Sequence, residues 1–179
     1  MKKHIRHRSA LRGFTLIEIL IVIGIMGIFM AVSYPSILNI MATRNLENTT
    51  RQIQTFLQQT KFQAVSTKIN HRVRFFQPDG TFWAYEMQAL QPDGLTFVTV
   101  PGPPRKTISN RLNVTITFPA DGADHVAVFS PLGMFPQFAI SQNSITLQNP
   151  NLDRPGQMDE RVLSIFMGGS IQYAKRKST

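Results

Sequence analysis

The residues best placed to do chemistry lie near the start of the chain, where a basic segment ends at Gly13 and an apolar run begins. From Leu16 to Val32 every residue is apolar or glycine except Glu18. A run of this length can cross a hydrocarbon core, which needs about 20 residues of helix. A carboxylate inside such a span costs roughly 2.5–3.5 kcal/mol, so it must become protonated or meet a cation. Glu18 is therefore the first candidate functional residue.

The same stretch resembles the N-terminal signature of type IV pilins and of the pseudopilins of type II secretion. It reads Arg12-Gly13-Phe14-Thr15-Leu16-Ile17-Glu18, continues as an apolar run and reaches Pro35. The resemblance implies that prepilin peptidase cuts between Gly13 and Phe14 and then methylates the new amine of Phe14. It also implies an assembly role for Glu18 and a helix kink at Pro35. The match is dense from Arg12 to Pro35 and weaker beyond.

Cleavage would create the cation that Glu18 needs. The new amine, on Phe14, lies four residues away in the same chain, where the two groups can interact only imperfectly. A neighbouring subunit staggered by about one helical turn, roughly 5.4 Å, can bring its own amine to Glu18. Such a pair would offset the desolvation of both charges and fix the axial register of a filament. The plain alternative is a membrane anchor with an isolated acid.

The segment before the apolar run predicts the orientation of the chain in the membrane. Five basic residues and no acidic residue lie before Gly13, namely Lys2, Lys3, Arg6, Arg8 and Arg12. By the positive-inside rule this leader stays in the cytoplasm, and the rest of the chain is exported. A secretory signal peptide is cut after its apolar region. Because the glycine stands before that region here, we expect the helix to remain as an inner-membrane anchor for a periplasmic domain.

Composition limits the remaining possibilities. The chain has 179 residues, a formal charge of +9 and no cysteine. Subtracting the +5 of the leader from +9 leaves about +4 for the mature protein. The absence of cysteine excludes a disulfide framework and a thiolate metal site. The part beyond the helix has the size of one compact domain.

Beyond the membrane segment the hydrophobic pattern stays helical to about Lys68. One stripe recurs at steps of four and three residues, and it consists of Leu46, Thr50, Ile53, Leu57, Thr60 and Ala64. This spacing predicts an amphipathic helix that packs against a sheet. The predicted segments are a leader at 1–13, a transmembrane and assembly segment at 14–34, the amphipathic half of the helix at 35–68 and a β-rich domain at 69–179.

From His71 onward the pattern alternates as in β-strands, and turns rich in proline and glycine separate the segments. The predicted strands lie at 72–76, 81–87, 95–100, 113–118, 125–130, 137–140, 144–148, 162–167 and 170–173. We expect hairpins from the first two strands, from the two strands between 137 and 148, and from the last two. A long N-terminal helix followed by short antiparallel strands predicts an α+β, pilin-like fold, with the helix packed on a C-terminal antiparallel sheet domain.

Two short patterns in the β-rich part resemble the GspH/FimT type of minor pilins and pseudopilins. The first is Phe129-Ser130-Pro131-Leu132-Gly133, and the second is a strand at 162–165 followed by Gly168-Gly169-Ser170-Ile171. This resemblance implies two sheets near the helix. It also implies a minor subunit, which in this family usually sits at the filament tip. The sequence leaves open whether the machine is a type IV pilus or a type II secretion system.

Few residues could form a catalytic or metal site. His71 and His125 are isolated, and no nucleophile–base pair or phosphate-binding loop stands out. Asp121 and Asp124 lie in one turn, which supplies only part of the six or more oxygen ligands that calcium takes. The run Asp159-Glu160-Arg161 is expected to face solvent. We therefore expect no enzyme activity, no cofactor and no metal.

A basic cluster, Lys175-Arg176-Lys177, ends the last predicted hairpin. Such a cluster can hold phosphates by counterion release without reading a base sequence. Some members of the GspH/FimT type bind DNA through an arginine-bearing motif near this hairpin, but the equivalent stretch at 169–172 has no arginine here. A solubilising tail is the simpler interpretation. Other basic candidates for DNA contact are Arg72, Arg74, Arg105, Lys106 and Arg111.

The sequence thus predicts a minor pilin or pseudopilin, processed by prepilin peptidase and assembled through its N-terminal helix. The expected partners are the peptidase, other pilin or pseudopilin subunits and the inner membrane. One alternative is a DNA-binding minor pilin that acts in natural transformation. The other is a membrane-anchored periplasmic domain that never polymerises.

Overall fold

The computed structural model describes residues 14–152 and 156–178. It begins with a single helix, α1, at Leu16–Thr67. The chain divides into two compact units between Leu38 and Asn39, so the first unit holds the apolar part of α1 and the second holds the remainder. The helix is not interrupted at Pro35. The kink that the family resemblance implies at this residue remains a prediction.

The second half of α1 confirms the predicted amphipathic stripe. All six stripe residues are fully buried, namely Leu46, Thr50, Ile53, Leu57, Thr60 and Ala64. The two threonines satisfy their hydroxyl groups inside the helix, because Thr50 Oγ1 donates to the Leu46 carbonyl at 2.7 Å and Thr60 Oγ1 donates to the Phe56 carbonyl at 2.9 Å. Polar atoms can therefore lie in this interface without an unpaired donor.

Within the described residues, ten strands follow α1 in two antiparallel sheets. They are β1 (His71–Phe76), β2 (Ala84–Leu90), β3 (Phe97–Thr99), β4 (Lys106–Thr107), β5 (Asn113–Ile116), β6 (Ala120–Asp121), β7 (Asp124–Phe129), β8 (Ser144–Gln148), β9 (Glu160–Ile165) and β10 (Ile171–Arg176). The first sheet has the order β3-β2-β1-β7-β6, and β4 also pairs with β2. The second sheet has the order β10-β9-β8-β5. The predicted α+β architecture, a long N-terminal helix followed by an antiparallel β-rich domain, is confirmed.

The predicted hairpin between 137–140 and 144–148 is wrong. Residues 137–140 form no strand, and β8 pairs with β5 and β9 instead. Two neighbours explain the difference. Phe135 is fully buried and its N–H donates to the Met167 carbonyl at 2.9 Å, while Pro136 has no N–H to give to a ladder. Apolar residues in this segment therefore serve as an anchor rather than as a strand.

Two smaller differences concern the first sheet. The second strand begins at Ala84 rather than at residue 81, and the two-residue strands β4 and β6 were not predicted. Strands this short contain no alternation that a sequence pattern could reveal. The first and last predicted hairpins are confirmed by the β1–β2 and β9–β10 pairs.

The core lies between the second half of α1 and the two sheets. Phe56 of the helix packs edge-on against Tyr85 of β2, with ring centroids 5.0 Å apart. Phe75 of β1 stacks on Phe118 at 5.7 Å. Leu147 of β8, from the second sheet, is fully buried and joins the same cluster. Aromatic pairs of this kind add to the stabilisation from apolar burial.

The two glycine-containing turns seen in the sequence meet on α1. Gly169, in the β9–β10 turn, has a φ of 70°, and a Cβ at this position would overlap the carbonyl oxygen of Gly133. Lys61 of α1 donates from Nζ to the Gly169 carbonyl at 2.9 Å. Only glycine fits a left-handed position with backbone this close. The contact joins the second sheet, the turn after β7 and the helix.

Candidate functional site

The first turn of α1 places Glu18 beside the chain segment that precedes the helix. Thr15 lies just before the helix, and its N–H donates to Glu18 Oε2 at 3.4 Å. In return the Glu18 N–H donates to Thr15 Oγ1 at 3.3 Å. This is the reciprocal capping box of a Thr-x-x-Glu sequence. The carboxylate therefore points back toward Phe14, and the positive end of the helix dipole stabilises it there.

The residues after this cap form an exposed apolar surface. The large apolar side chains that are described between Leu16 and Met41 are about half exposed or more, and they include Ile17, Leu20, Ile23, Ile28 and Phe29. α1 is long and apolar enough to cross a membrane, and none of its most apolar window is buried inside the protein. A soluble helix hides such a face in a core. Lipid or another apolar helix is the environment that suits this segment.

The candidate processing site is only partly described. Gly13 and the leader lie outside the described residues. Phe14 is described, lies before the start of α1 and is 80% exposed. The roles predicted for Gly13, Phe14 and Glu18 in cleavage, methylation and assembly therefore remain predictions.

The C-terminal basic cluster lies on β10 and just beyond it. Lys175, Arg176 and Lys177 are all exposed. Lys175 Nζ lies 3.3 Å from Glu47 Oε2, so one of the three cations already has an anionic partner on α1. The main chain is held directly beyond the cluster, where the Ser178 N–H donates to Asp159 Oδ1 at 2.8 Å. DNA contact by the cluster remains a prediction. Arg176 and Lys177 are better candidates for it than Lys175, which already pairs with Glu47.

Glu47 is the centre of a charged network that sequence reasoning missed. Its Oε2 accepts hydrogen bonds from Tyr173 Oη at 2.7 Å and from Arg161 Nε at 3.2 Å. Its Oε1 accepts from Arg51 Nη2 at 2.9 Å. Burial alone would raise the pKa of Glu47, but hydrogen bonds from Tyr173, Arg161, Arg51 and Lys175 lower that pKa to about 2. The network ties β9 and β10 to α1.

Two side chains expected to face solvent are buried instead. Arg161 is 2% exposed, because it stands in the inward phase of β9 and faces Glu47. Asp159 is 6% exposed and accepts hydrogen bonds from Gln148 Nε2 at 3.0 Å and from Ser178. Burial raises the pKa of Asp159, while the bonds from Ser178 and Gln148 lower it, to a net value of about 2. The expectation for this run was wrong, since an acid followed by a base looks like a solvated pair in sequence.

The low pKa values of Glu47 and Asp159 predict a loss of stability in acid. Both folded-state values, about 2, lie below the ordinary values of 4.5 and 3.8. Their contribution is complete above about pH 5 and is lost as pH falls toward 2, because the unfolded chain takes up protons first. Urea unfolding of the full chain in detergent, followed by the fluorescence of Trp83, should show that the free energy of unfolding decreases as pH falls from about 5 toward 2.

Matched variants separate these two carboxylates from the others. The double variant with Glu47→Gln and Asp159→Asn should lower the free energy of unfolding at neutral pH. It should also reduce the dependence of that free energy on pH between 5 and 2. Asp79→Asn, which changes an exposed turn, should leave both unchanged. An unaltered pH dependence in the double variant would show that other groups cause the acid sensitivity.

The remaining candidates for chemistry do not converge. His71 Nδ1–H donates to the Ile69 carbonyl at 3.1 Å, and His125 Nδ1–H donates to the Phe118 carbonyl at 2.9 Å. The two turn aspartates are engaged by arginines of β1, with Asp121 2.7 Å from Arg72 and Asp124 2.7 Å from Arg74. Within residues 14–152 and 156–178, no group of three or more acidic or histidine side chains could hold a metal.

Comparison with known proteins adds one sequence match and two structural ones. A family model described as a prokaryotic N-terminal methylation motif matches residues 8–34. A crystal structure of the Pseudomonas aeruginosa PAO1 type IV minor pilin FimU aligns over 72% of this chain and 92% of that chain, with 19% identity and a TM-score of 0.46. A second crystal form of FimU aligns over 74% and 90%, with 18% identity and a TM-score of 0.47. No curated protein matches the sequence.

Proposed function

We propose that this chain, which carries the prokaryotic N-terminal methylation motif, is a minor pilin or pseudopilin. The observation that carries the proposal is the matched motif at residues 8–34, which contains a single acid, Glu18, in an apolar span. The α+β fold with one long N-terminal helix supports it. The chain would act as a structural subunit rather than as an enzyme.

The proposed processing follows from the motif. Prepilin peptidase removes residues 1–13 by cutting between Gly13 and Phe14, and it methylates the amine of Phe14. The segment 14–34 then stays in the inner membrane, and 35–68 continues the helix toward the β-rich domain at 69–179. With the basic leader in the cytoplasm, that domain lies in the periplasm. Other pilin or pseudopilin subunits are the partners of the mature protein.

Assembly depends on Glu18 in this proposal. In the membrane the carboxylate keeps its local bond with Thr15, which offsets part of its cost. A neutral donor offsets less than a cation does, because only a cation cancels the net charge that makes a carboxylate costly in lipid. The positive amine of a neighbouring subunit is the better partner. Pairing would draw the subunit from lipid into a filament, with a tip position proposed for it as a minor subunit.

Recovery of the protein with filaments tests the proposal. Filaments sheared from cells that express an epitope-tagged form of the chain should contain it in the mature length. A chain that stays wholly in the membrane fraction while filaments assemble would contradict the proposal and support the non-polymerising anchor. A neighbouring gene for a retraction ATPase would indicate a type IV pilus, whereas a neighbouring cluster of genes for a secretin and exported proteins would indicate type II secretion.

A further inference from the structure

The C-terminal tail (residues 175–178) lies at one end of the second unit. This is the end that contains Asn39, where the chain continues from the membrane segment. The side chain of Asn149 donates to the Ala42 carbonyl of α1 at 3.2 Å, and its N–H donates to the Asp159 carbonyl at 3.1 Å. Asp159 in turn holds Ser178. Since a helix rises 1.5 Å per residue, Ala42 lies about 5 Å along α1 from Asn39, the first residue of this unit.

A second set of contacts fixes the same placement. Gln157 Nε2 donates to Asn39 Oδ1 at 2.9 Å. Lys175 contacts Glu47, about 12 Å along α1 from Asn39. Arg44 is exposed and shares the helix face of Glu47, three residues away. The tail cations and Arg44 therefore all lie at this end of the second unit, and we call this set the entry surface: Arg44, Lys175, Arg176 and Lys177.

The entry surface has more positive than negative charge. Glu47 is the only acid on α1 between 39 and 67, and it already contacts three cations, Arg51, Arg161 and Lys175. Asp159 is buried and bonded to Ser178. Glu160 is the paired residue of Arg176 across β9 and β10. Arg44, Arg176 and Lys177 form no ion pair within the described parts of the chain.

We propose that the entry surface binds anionic phospholipid headgroups of the membrane that anchors the chain. The inference rests on the proposed membrane insertion of the N-terminal helix. A cation is attracted to an anionic lipid surface only within about one Debye length, roughly 8 Å at physiological salt. Arg44 lies about 8 Å along α1 from Asn39, and the bonds through Asp159 and Asn149 hold the end of the tail close to Ala42, so these cations meet that condition better than Lys175 does. The contact would hold the domain against the membrane until the subunit is extracted into a filament.

This placement favours lipid over nucleic acid as the partner of the tail. A DNA receptor needs its cations where a long, stiff duplex can reach them. The contacts of Lys175 and Ser178 place the tail beside the first turns of the second unit, where the chain continues from the membrane segment. If the tail lies near the membrane as proposed, a duplex would have to compete with lipid headgroups for these cations.

Single-site labelling of the full chain tests the inference, because the natural sequence has no cysteine. A fluorophore on Asn48→Cys reports on the entry surface, and one on Ser66→Cys lies about 27 Å further along α1. Both positions are exposed. Each labelled chain is inserted into vesicles of phosphatidylcholine alone or mixed with phosphatidylglycerol, with an energy acceptor on a trace of headgroups. We expect more transfer from position 48 in the anionic vesicles, and no lipid dependence at position 66.

A pair of charge variants makes the result specific. Arg176→Gln with Lys177→Gln should abolish the gain in transfer at position 48. Lys68→Gln with Arg111→Gln removes the same net charge from other exposed positions and should preserve the gain. A gain that survives in the first variant, or is lost equally in both, overturns the inference.

The remaining outcomes are also decisive. A chain that resists carbonate extraction but transfers equally in both vesicles overturns this inference and leaves the proposed function intact. If carbonate extracts the chain, the chain is not inserted in the membrane, and both this inference and the proposed function fail. If Arg176→Gln with Lys177→Gln weakens binding of duplex DNA to the detergent-solubilised chain but leaves the lipid response unchanged, the tail is a nucleic-acid surface and the inference is wrong.

Discussion

Replacing Glu18 with alanine is expected to leave membrane insertion intact and to abolish recovery of the chain in sheared filaments. Alanine suits a membrane span better than a carboxylate does, so insertion should not suffer. The loss would arise in assembly, because the amine of a neighbouring Phe14 would be left in an apolar filament core without an anion. Immunoblots of the membrane and sheared fractions from the same cells measure both effects.

Two further variants separate charge from capping at this residue. Glu18→Gln keeps a side-chain oxygen that can accept the Thr15 N–H bond, since glutamine also completes a capping box. It removes the negative charge, and we expect it to fail in assembly as the alanine variant does. Glu18→Asp keeps the charge on a shorter side chain and should retain part of the incorporation. Normal incorporation of Glu18→Gln would show that capping, rather than charge pairing, is the role of this residue.

Replacing Gly169 with alanine is expected to cause a large loss of stability in the β-rich domain. The position is left-handed, with a φ of 70°, and the added methyl group would overlap the Gly133 carbonyl. The left-handed backbone costs about 1–2 kcal/mol for a residue with a Cβ, and overpacking adds about 1–3 kcal/mol. Urea unfolding of the full chain in detergent, followed by Trp83 fluorescence, should show a loss of about 2–5 kcal/mol.

The neighbouring glycine is the matched control. An added Cβ at Gly168 would meet no atom within 4 Å, and its φ is not in the left-handed region. Gly168→Ala should therefore change the free energy of unfolding by less than about 0.5 kcal/mol. Equal effects of the two substitutions would mean that Gly133 and Gly169 do not form the close contact described.

The sequence predicts what depends on neighbours along the chain. The stripe from Leu46 to Ala64 follows the period of one helix, and its burial is confirmed in full. The motif around Glu18 is likewise contiguous. The capping bond between Thr15 and Glu18 could also be predicted, because Thr-x-x-Glu is the sequence pattern of a capping box. The two glycine turns were visible in the sequence, although not the fact that they touch.

What the sequence could not predict depends on residues far apart in the chain. Glu47 lies 114 residues from Arg161 and 126 from Tyr173, and no local pattern relates them. Asp159 is buried through its contacts with Gln148 and Ser178, which the same sheet and the tail bring together. The false hairpin at 137–140 has the same origin, because a tertiary bond from Phe135 to Met167 overrides local strand propensity.

The N-terminal sequence of the protein recovered from cells that contain prepilin peptidase is the most direct measurement. Mass spectrometry of the N-terminal peptide should show that the mature chain begins at Phe14 and bears one methyl group on its amine. That amine is the cation through which trimming would make Glu18 competent for assembly. An intact Met1, or a start at any residue other than Phe14, would contradict the account, because Glu18 would then have no new charge at the proper spacing to meet.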